Sequence, residues 1–175
     1  MRTDTTELAA SPLNHHRGAL PPSAVIEIST DLRRLLADVF ALYVKTKGAH
    51  WHISGKHFRD YHLLLDEHAG QILAMTDEIA ERTRKIGGAT LHSITEIARQ
   101  NRLSDNEDVA SAEGMLSSLA MDNAQLLTSL RSSHELCARN NDVATTSLIE
   151  IWIDQAERRL WFLNATLDTK TGAPA

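Results

Sequence analysis

Residues 62–81, HLLLDEHAGQILAMTDEIAE, carry the pattern that decides the fold. On an α-helix turning 100° per residue, with His62 as origin, Asp66 falls at about 40°, Asp77 at about 60° and Glu81 at about 100°. One imidazole and three carboxylates therefore share a narrow stripe. The apolar Tyr61, Leu65, Ile72, Met75, Ile79 and Ile86 gather between roughly 220° and 300°, where a helix buries its core face. Leu63, Ala69, Leu73 and Ala80 lie in or beside the acidic stripe, whereas Glu67, Glu78, Arg82 and Lys85 lie farther round. The stripe is neither core nor a freely solvated surface; it reads as an interface with ligands embedded in it.

Working outward, this helix spans about Phe58 to Ile86, with Gly87-Gly88 as its stop signal. Before it, Leu32, Leu35, Leu36, Val39, Phe40 and Tyr43 repeat at helical spacing in a segment that runs toward Trp51 and breaks at Ser54-Gly55. After it, Ala89 to about Ala110 forms a long connection whose middle, Ser93-Ile94-Thr95-Glu96, matches a capping box and predicts one short helix. A third long helix carries Met115, Leu116, Leu119, Leu126, Leu127, Leu130 and Cys137 and ends near Asn140-Asn141. Asp142 caps a fourth, with Leu148, Ile151, Trp152, Leu160 and Trp161, which ends before Thr171-Gly172; Trp152 and Trp161 read as packing residues. A helix of about 29 residues is roughly 43 Å long, and the connection after it is long enough to run back along that length. Two short links and one long crossover describe an all-α, ferritin-like four-helix bundle with a short extra helix in the crossover. The expected organisation is a mobile N-terminal tail over 1–22, one bundle domain over 23–170 and a short tail over 171–175.

Composition narrows the function classes. A chain of 175 residues, 42% hydrophobic, buries a full core in one domain. Its single cysteine, Cys137, excludes an intrachain disulfide and reads as a buried, inert thiol. The first sixteen residues, MRTDTTELAASPLNHH, lack the apolar core of a signal peptide, and no run reaches the ~18 apolar residues of a membrane span. These features predict a cytoplasmic protein. A formal charge of -5 excludes a surface that is basic all over, so DNA contact would need a local patch.

His, Asp and Glu supply the nitrogen and oxygen ligands that iron accepts, and His62/Asp66 and Asp77/Glu81 are each i,i+4 pairs that can converge. The two pairs are separated by roughly 16 Å of helix rise between Asp66 and Asp77, so one helix cannot close a site by itself. If two copies pack this helix antiparallel across a two-fold axis, the His62/Asp66 end of one meets the Asp77/Glu81 end of the other, giving two equivalent sites per dimer. Single-chain di-iron bundles draw instead on Glu-x-x-His pairs, and this sequence contains none. Upstream, His50 in His50-Trp51-His52 can add a further nitrogen ligand where the first long helix turns into the second.

With His50-Trp51 followed by His62, Asp66, Asp77 and Glu81, the segment KGAHWHISGKHFRDYHLLLDEHAGQILAMTDEIAERTRKIGG (47–88) resembles the Dps family, the ferritin-like mini-ferritins of starved bacteria, whose members carry His-Trp and then His-x3-Asp-x10-Asp-x3-Glu. The resemblance extends over about residues 23 to 168. It implies a hollow dodecamer built from two-fold dimers, located in the bacterial cytoplasm or nucleoid, with ferroxidase sites at the dimer interface and a mineral core inside. His50, His62 and Asp66 would come from one subunit and Asp77 and Glu81 from its partner, with Glu81 as the bridging carboxylate. The family favours hydrogen peroxide over dioxygen as oxidant for Fe(II), and the resemblance places Trp51 close to the iron.

Many members have Asn after His-Trp; here His52 stands there, read as a surface residue at the turn and otherwise as an extra polar group near the site. Glu150, Asp154 and Glu157 on the fourth helix are candidates for the route of iron into the shell, which three chains would have to form. DNA-binding members often have a Lys/Arg-rich tail, but Arg2 and Arg17 are set against Asp4 and Glu7, Lys170 stands alone at the other end, and His15-His16 gain charge only on acidification. Two other classes compete with the ferroxidase: a DNA-compacting shell, and a metal-free helical interaction protein.

Overall fold

The computed structural model describes residues 20–104 and 111–168. The expectations about His15-His16, Arg17, Lys170 and Thr171-Gly172 lie outside the described residues. Five helices follow in order: α1 (Pro22–His52), α2 (Phe58–Lys85), α3 (Ile94–Gln100), α4 (Ala112–Arg139) and α5 (Val143–Leu167). The described residues are helical and connecting segments only, as an all-α ferritin-like bundle requires. α1 pairs mainly with α2 and α4 with α5; α1 also packs on α4, α2 on α5, and the short α3 on α1.

The sequence ends its helices by local chemistry. Beyond α2, Gly87 takes φ 93°, the Gly88 N–H donates to the Thr83 carbonyl and the Gly87 N–H to that of Arg84. This pattern satisfies the last carbonyls through a left-handed residue that glycine adopts without strain. The same device ends α4, where Asn141 has φ 56° and the Asp142 N–H donates to Cys137. The Asp142 carboxylate then accepts from the Thr145 N–H and starts α5, and Ser93 Oγ accepts from the Glu96 N–H at the start of α3.

The core contains Leu32, Leu35, Leu36, Val39 and Leu42 of α1, Leu65, Ile72, Met75 and Ile79 of α2, and Leu116, Leu126 and Leu130 of α4. On α5 the buried line is Ile149, Trp152, Ala156, Arg159 and Leu163. This corrects part of the reading of that helix: Trp152 packs, but Trp161 is 66% exposed and Ile151 also faces outward. Both fall off the 3–4 spacing that the buried residues follow, and Arg159 takes the core position beside Trp161. Buried ionic contacts tie the helices to their connections. Asp38, fully buried on α1, accepts from the backbone N–H and the guanidinium of Arg102, pinning the segment after α3. Arg82 of α2 donates to Asp142 and Thr145 at the start of α5. No helix among the described residues is long and apolar enough to cross a membrane.

Candidate metal centre

The turn from α1 to α2 brings His50 and His62 face to face. Ile53 is buried at its start and Gly55, at φ 104°, makes the reversal in a conformation that side chains disfavour. The two imidazoles stack with centroids 3.7 Å apart and planes inclined by 23°. His50 Nδ1 lies 2.9 Å from the His62 carbonyl oxygen, and His62 Nδ1 lies 3.0 Å from that of His50. A carbonyl only accepts, so each Nδ1 carries a proton, and in the neutral ring the lone pair lies on Nε2. Backbone partners of this kind fix the tautomer and orientation of metal-binding histidines. His50 Nε2 is 3.9 Å from Asp66 Oδ1. His50 and His62 are thus brought together in one chain, with the Asp66 carboxylate beside His50.

Asp66 carries a second contact that sequence periodicity does not show. Lys47 Nζ, one helical turn before His50, lies 2.8 Å from Asp66 Oδ1. That hydrogen bond and the lysine charge hold the Asp66 carboxyl below the usual range, despite an opposing desolvation effect. Glu81 likewise lies 2.8 Å from Lys85, one turn farther along α2, and its carboxyl is lowered by that hydrogen bond and charge. Asp77 is exposed. Asp77 and Glu81 are not brought to the histidines, and among the described residues no three His, Cys, Asp or Glu side chains of one chain, His50, His62 and Asp66 included, are grouped closely enough to hold a metal ion.

The surface joining the two halves is partly apolar. Leu63 and Leu73 are 51% and 43% exposed, and a side chain added at Gly70 would meet open space. Trp51 is 66% exposed beside His50, and the Phe58 ring lies 5.0 Å from that of His62. His52 is exposed with Nδ1 2.7 Å from the Gly48 carbonyl, a local contact at the helix end. On α5, Glu150 meets His134 at 3.0 Å and Glu157 meets Arg131 at 2.6 Å, whereas Asp154 is exposed. Two of the three acids proposed to guide iron are thus engaged by basic side chains of α4.

Comparison with known proteins gives one family and a consistent set of relatives. A ferritin-like domain model matches residues 30–171. DNA protection during starvation protein 1 of Deinococcus radiodurans is 31% identical over 157 residues, covering 89% of this chain and 75% of that protein. The crystal structure of the Dps protein from Vibrio cholerae, described as a member of a broad superfamily of ferritin-like diiron-carboxylate proteins, superposes with a TM-score of 0.81 at 27% identity, covering 85% of this chain and 94% of the other. DpsC from Streptomyces coelicolor superposes with a TM-score of 0.82 at 27% identity, over 90% and 91% of the two chains.

Proposed function

The chain belongs to the Dps family of ferritin-like proteins, and from that premise we propose that it is a ferroxidase: it oxidises Fe(II), preferably with hydrogen peroxide, at sites shared by two copies of the chain. It stores the Fe(III) as mineral in a hollow dodecamer, in the bacterial cytoplasm or nucleoid, and so protects DNA from oxidative damage. The observation that carries this reading is the His50–His62 pair, whose Nδ1 atoms are taken up by backbone carbonyls, which leaves Nε2 of each ring as the atom for a metal, with His50 Nε2 3.9 Å from Asp66. The remaining ligands, Asp77 and Glu81, come from the second copy.

Symmetry along α2 supports that division. Asp66 and Asp77 are equally far from the point between Gln71 and Ile72, and so are His62 and Glu81. A two-fold axis through that point sets each Asp66 opposite the partner's Asp77 and each Leu73 opposite the partner's Gly70, where open space receives it. Iron is substrate and cargo here. Carboxylates favour the ferric state, while neutral imidazoles keep the charge of the donor set low enough for Fe(II) to bind weakly and move on. Two ferrous ions and two protons convert one hydrogen peroxide into two waters and two ferric ions. Paired oxidation therefore avoids the one-electron step that releases hydroxyl radical.

The test is the rate of Fe(II) loss when anaerobic protein loaded with Fe(II) receives hydrogen peroxide, compared with dioxygen. Fast peroxide-driven oxidation with the product held in solution is expected; precipitation at the protein-free rate with both oxidants would overturn the reading. The Deinococcus radiodurans relative is named for DNA protection during starvation, and direct DNA contact by a shell that compacts it is the second reading. With a formal charge of -5, no gel shift is expected at neutral pH and low salt.

A further inference from the structure

Both halves of the proposed centre are covered by lysine. The Lys47 ammonium lies on Asp66, and the Lys85 ammonium lies on Glu81, each at 2.8 Å. The two lysines are held differently. Lys47 reaches Asp66 from α1 across the helix pair, and its side chain is only 18% exposed, so it is a positioned group. Lys85 sits on α2 itself, one turn beyond Glu81, and is 63% exposed.

We propose that Lys47 and Lys85 are placeholder cations, which compensate the carboxylates of the empty centre and which a divalent metal ion must displace, so that they set how weakly Fe(II) is held. The inference rests on the shared-site reading above. In that arrangement Asp66 of one copy and Asp77 and Glu81 of the other converge, and three carboxylates brought together repel one another unless positive charge lies among them. Lys47 and Lys85 then arrive from the two sides of the same centre, one from each copy. Lysine suits the part: its ammonium is a point charge on a flexible stem that swings aside, whereas a guanidinium would grip the carboxylate through two parallel hydrogen bonds. Fe(II) brings two charges and binds the imidazole nitrogens as well, which an ammonium cannot do. It wins the exchange, but its affinity is reduced by whatever each lysine contact is worth.

Lys47→Met and Lys85→Met remove the charge and keep most of the stem. Full-length wild type, both variants and the double variant are titrated anaerobically with Fe(II) by calorimetry and with Co(II) by its visible absorption, after thermal melts confirm folding. Exposed pairs of this kind predict about a two- to fivefold tightening per lysine, larger for Lys47 because its stem is held, and the tightest binding in the double variant, whose departure from the product of the single effects reads the coupling within the shared centre. Unchanged or weaker binding in Lys47→Met would overturn the inference, since the lysine would then only orient Asp66. If wild type binds neither metal, the shared centre fails and the placeholder role falls with it. If wild type binds and the variants do not tighten, only the placeholder role fails.

Discussion

His50 and His62 hold each other in place: each presents Nδ1 to the backbone carbonyl of the other, at 2.9 and 3.0 Å, with the rings stacked 3.7 Å apart. The pair joins the last turn of α1 to the start of α2, so the contacts that close the helix hairpin also fix the orientation of both rings. His62→Phe keeps a ring against His50 and removes both nitrogens. Its stability in a thermal melt should fall by only the roughly 1 kcal/mol of one lost hydrogen bond to the His50 carbonyl, while the fast phase of iron oxidation falls roughly 10–100-fold or more, as for loss of a metal-site contact. Stopped-flow absorbance checks this; an unchanged fast phase would remove His62 from the centre.

Arg159 is the most unusual group in the core. It is fully buried, its guanidinium meets the Asn123 side-chain oxygen at 3.1 Å and the Met75 sulfur at 3.9 Å, and Nη1 has no hydrogen-bond partner. Burial lowers its pKa to about 10, so it remains charged at neutral pH. A buried charge without a carboxylate costs stability, and an apolar replacement of similar size is neutral or better by about 1–4 kcal/mol. Arg159→Met should therefore leave stability unchanged or raised in urea denaturation. Asn123→Leu, which takes away the side-chain oxygen that the guanidinium meets, should cost about 1.5–3 kcal/mol.

Cys137 is buried, and burial first, with Asp142 and Asp31 adding to it, pushes its thiol up to about 12. The thiolate is the reactive form, so a disulfide reagent at pH 8 should leave native protein unlabelled and label it at once in guanidinium. The linkage has a definite sign. The folded pKa lies above the unfolded value near 9, so the contribution to stability is fully present below pH 9 and is lost as pH rises from 9 toward 12. Native protein that reacts as fast as unfolded protein would contradict the burial.

Much of the fold is legible because helix boundaries are written locally. Gly87-Gly88, Asn140-Asn141-Asp142 and Ser93 with Glu96 each state a stop or a start within a few residues, and Leu65, Ile72, Met75 and Ile79 repeat on one face. Contacts between helices are less legible. Glu78 lies among charged positions on the helical projection, yet its carboxylate accepts the Trp152 indole N–H at 2.7 Å, and Arg82 reaches Asp142 rather than water. Lys47 meets Asp66 from 19 residues away in sequence. Long polar side chains reach round a helix, and a projection records where a side chain starts, not where it ends. Arg159 is the same lesson reversed, an arginine on the core line next to an exposed tryptophan.

The central claim is that a second copy completes the centre, and complementation tests it most directly. Asp66→Ala and Asp77→Ala are made in separate chains, assayed alone, and then co-expressed under two tags so that mixed assemblies are isolated. In a mixed two-fold pair one centre loses both aspartates and the other keeps both. With random pairing, about a quarter of the wild-type centres should therefore be intact, and fast Fe(II) oxidation by peroxide should return to about that level, although each variant alone is slow. Mixed assemblies as slow as either parent would contradict a centre shared between two chains.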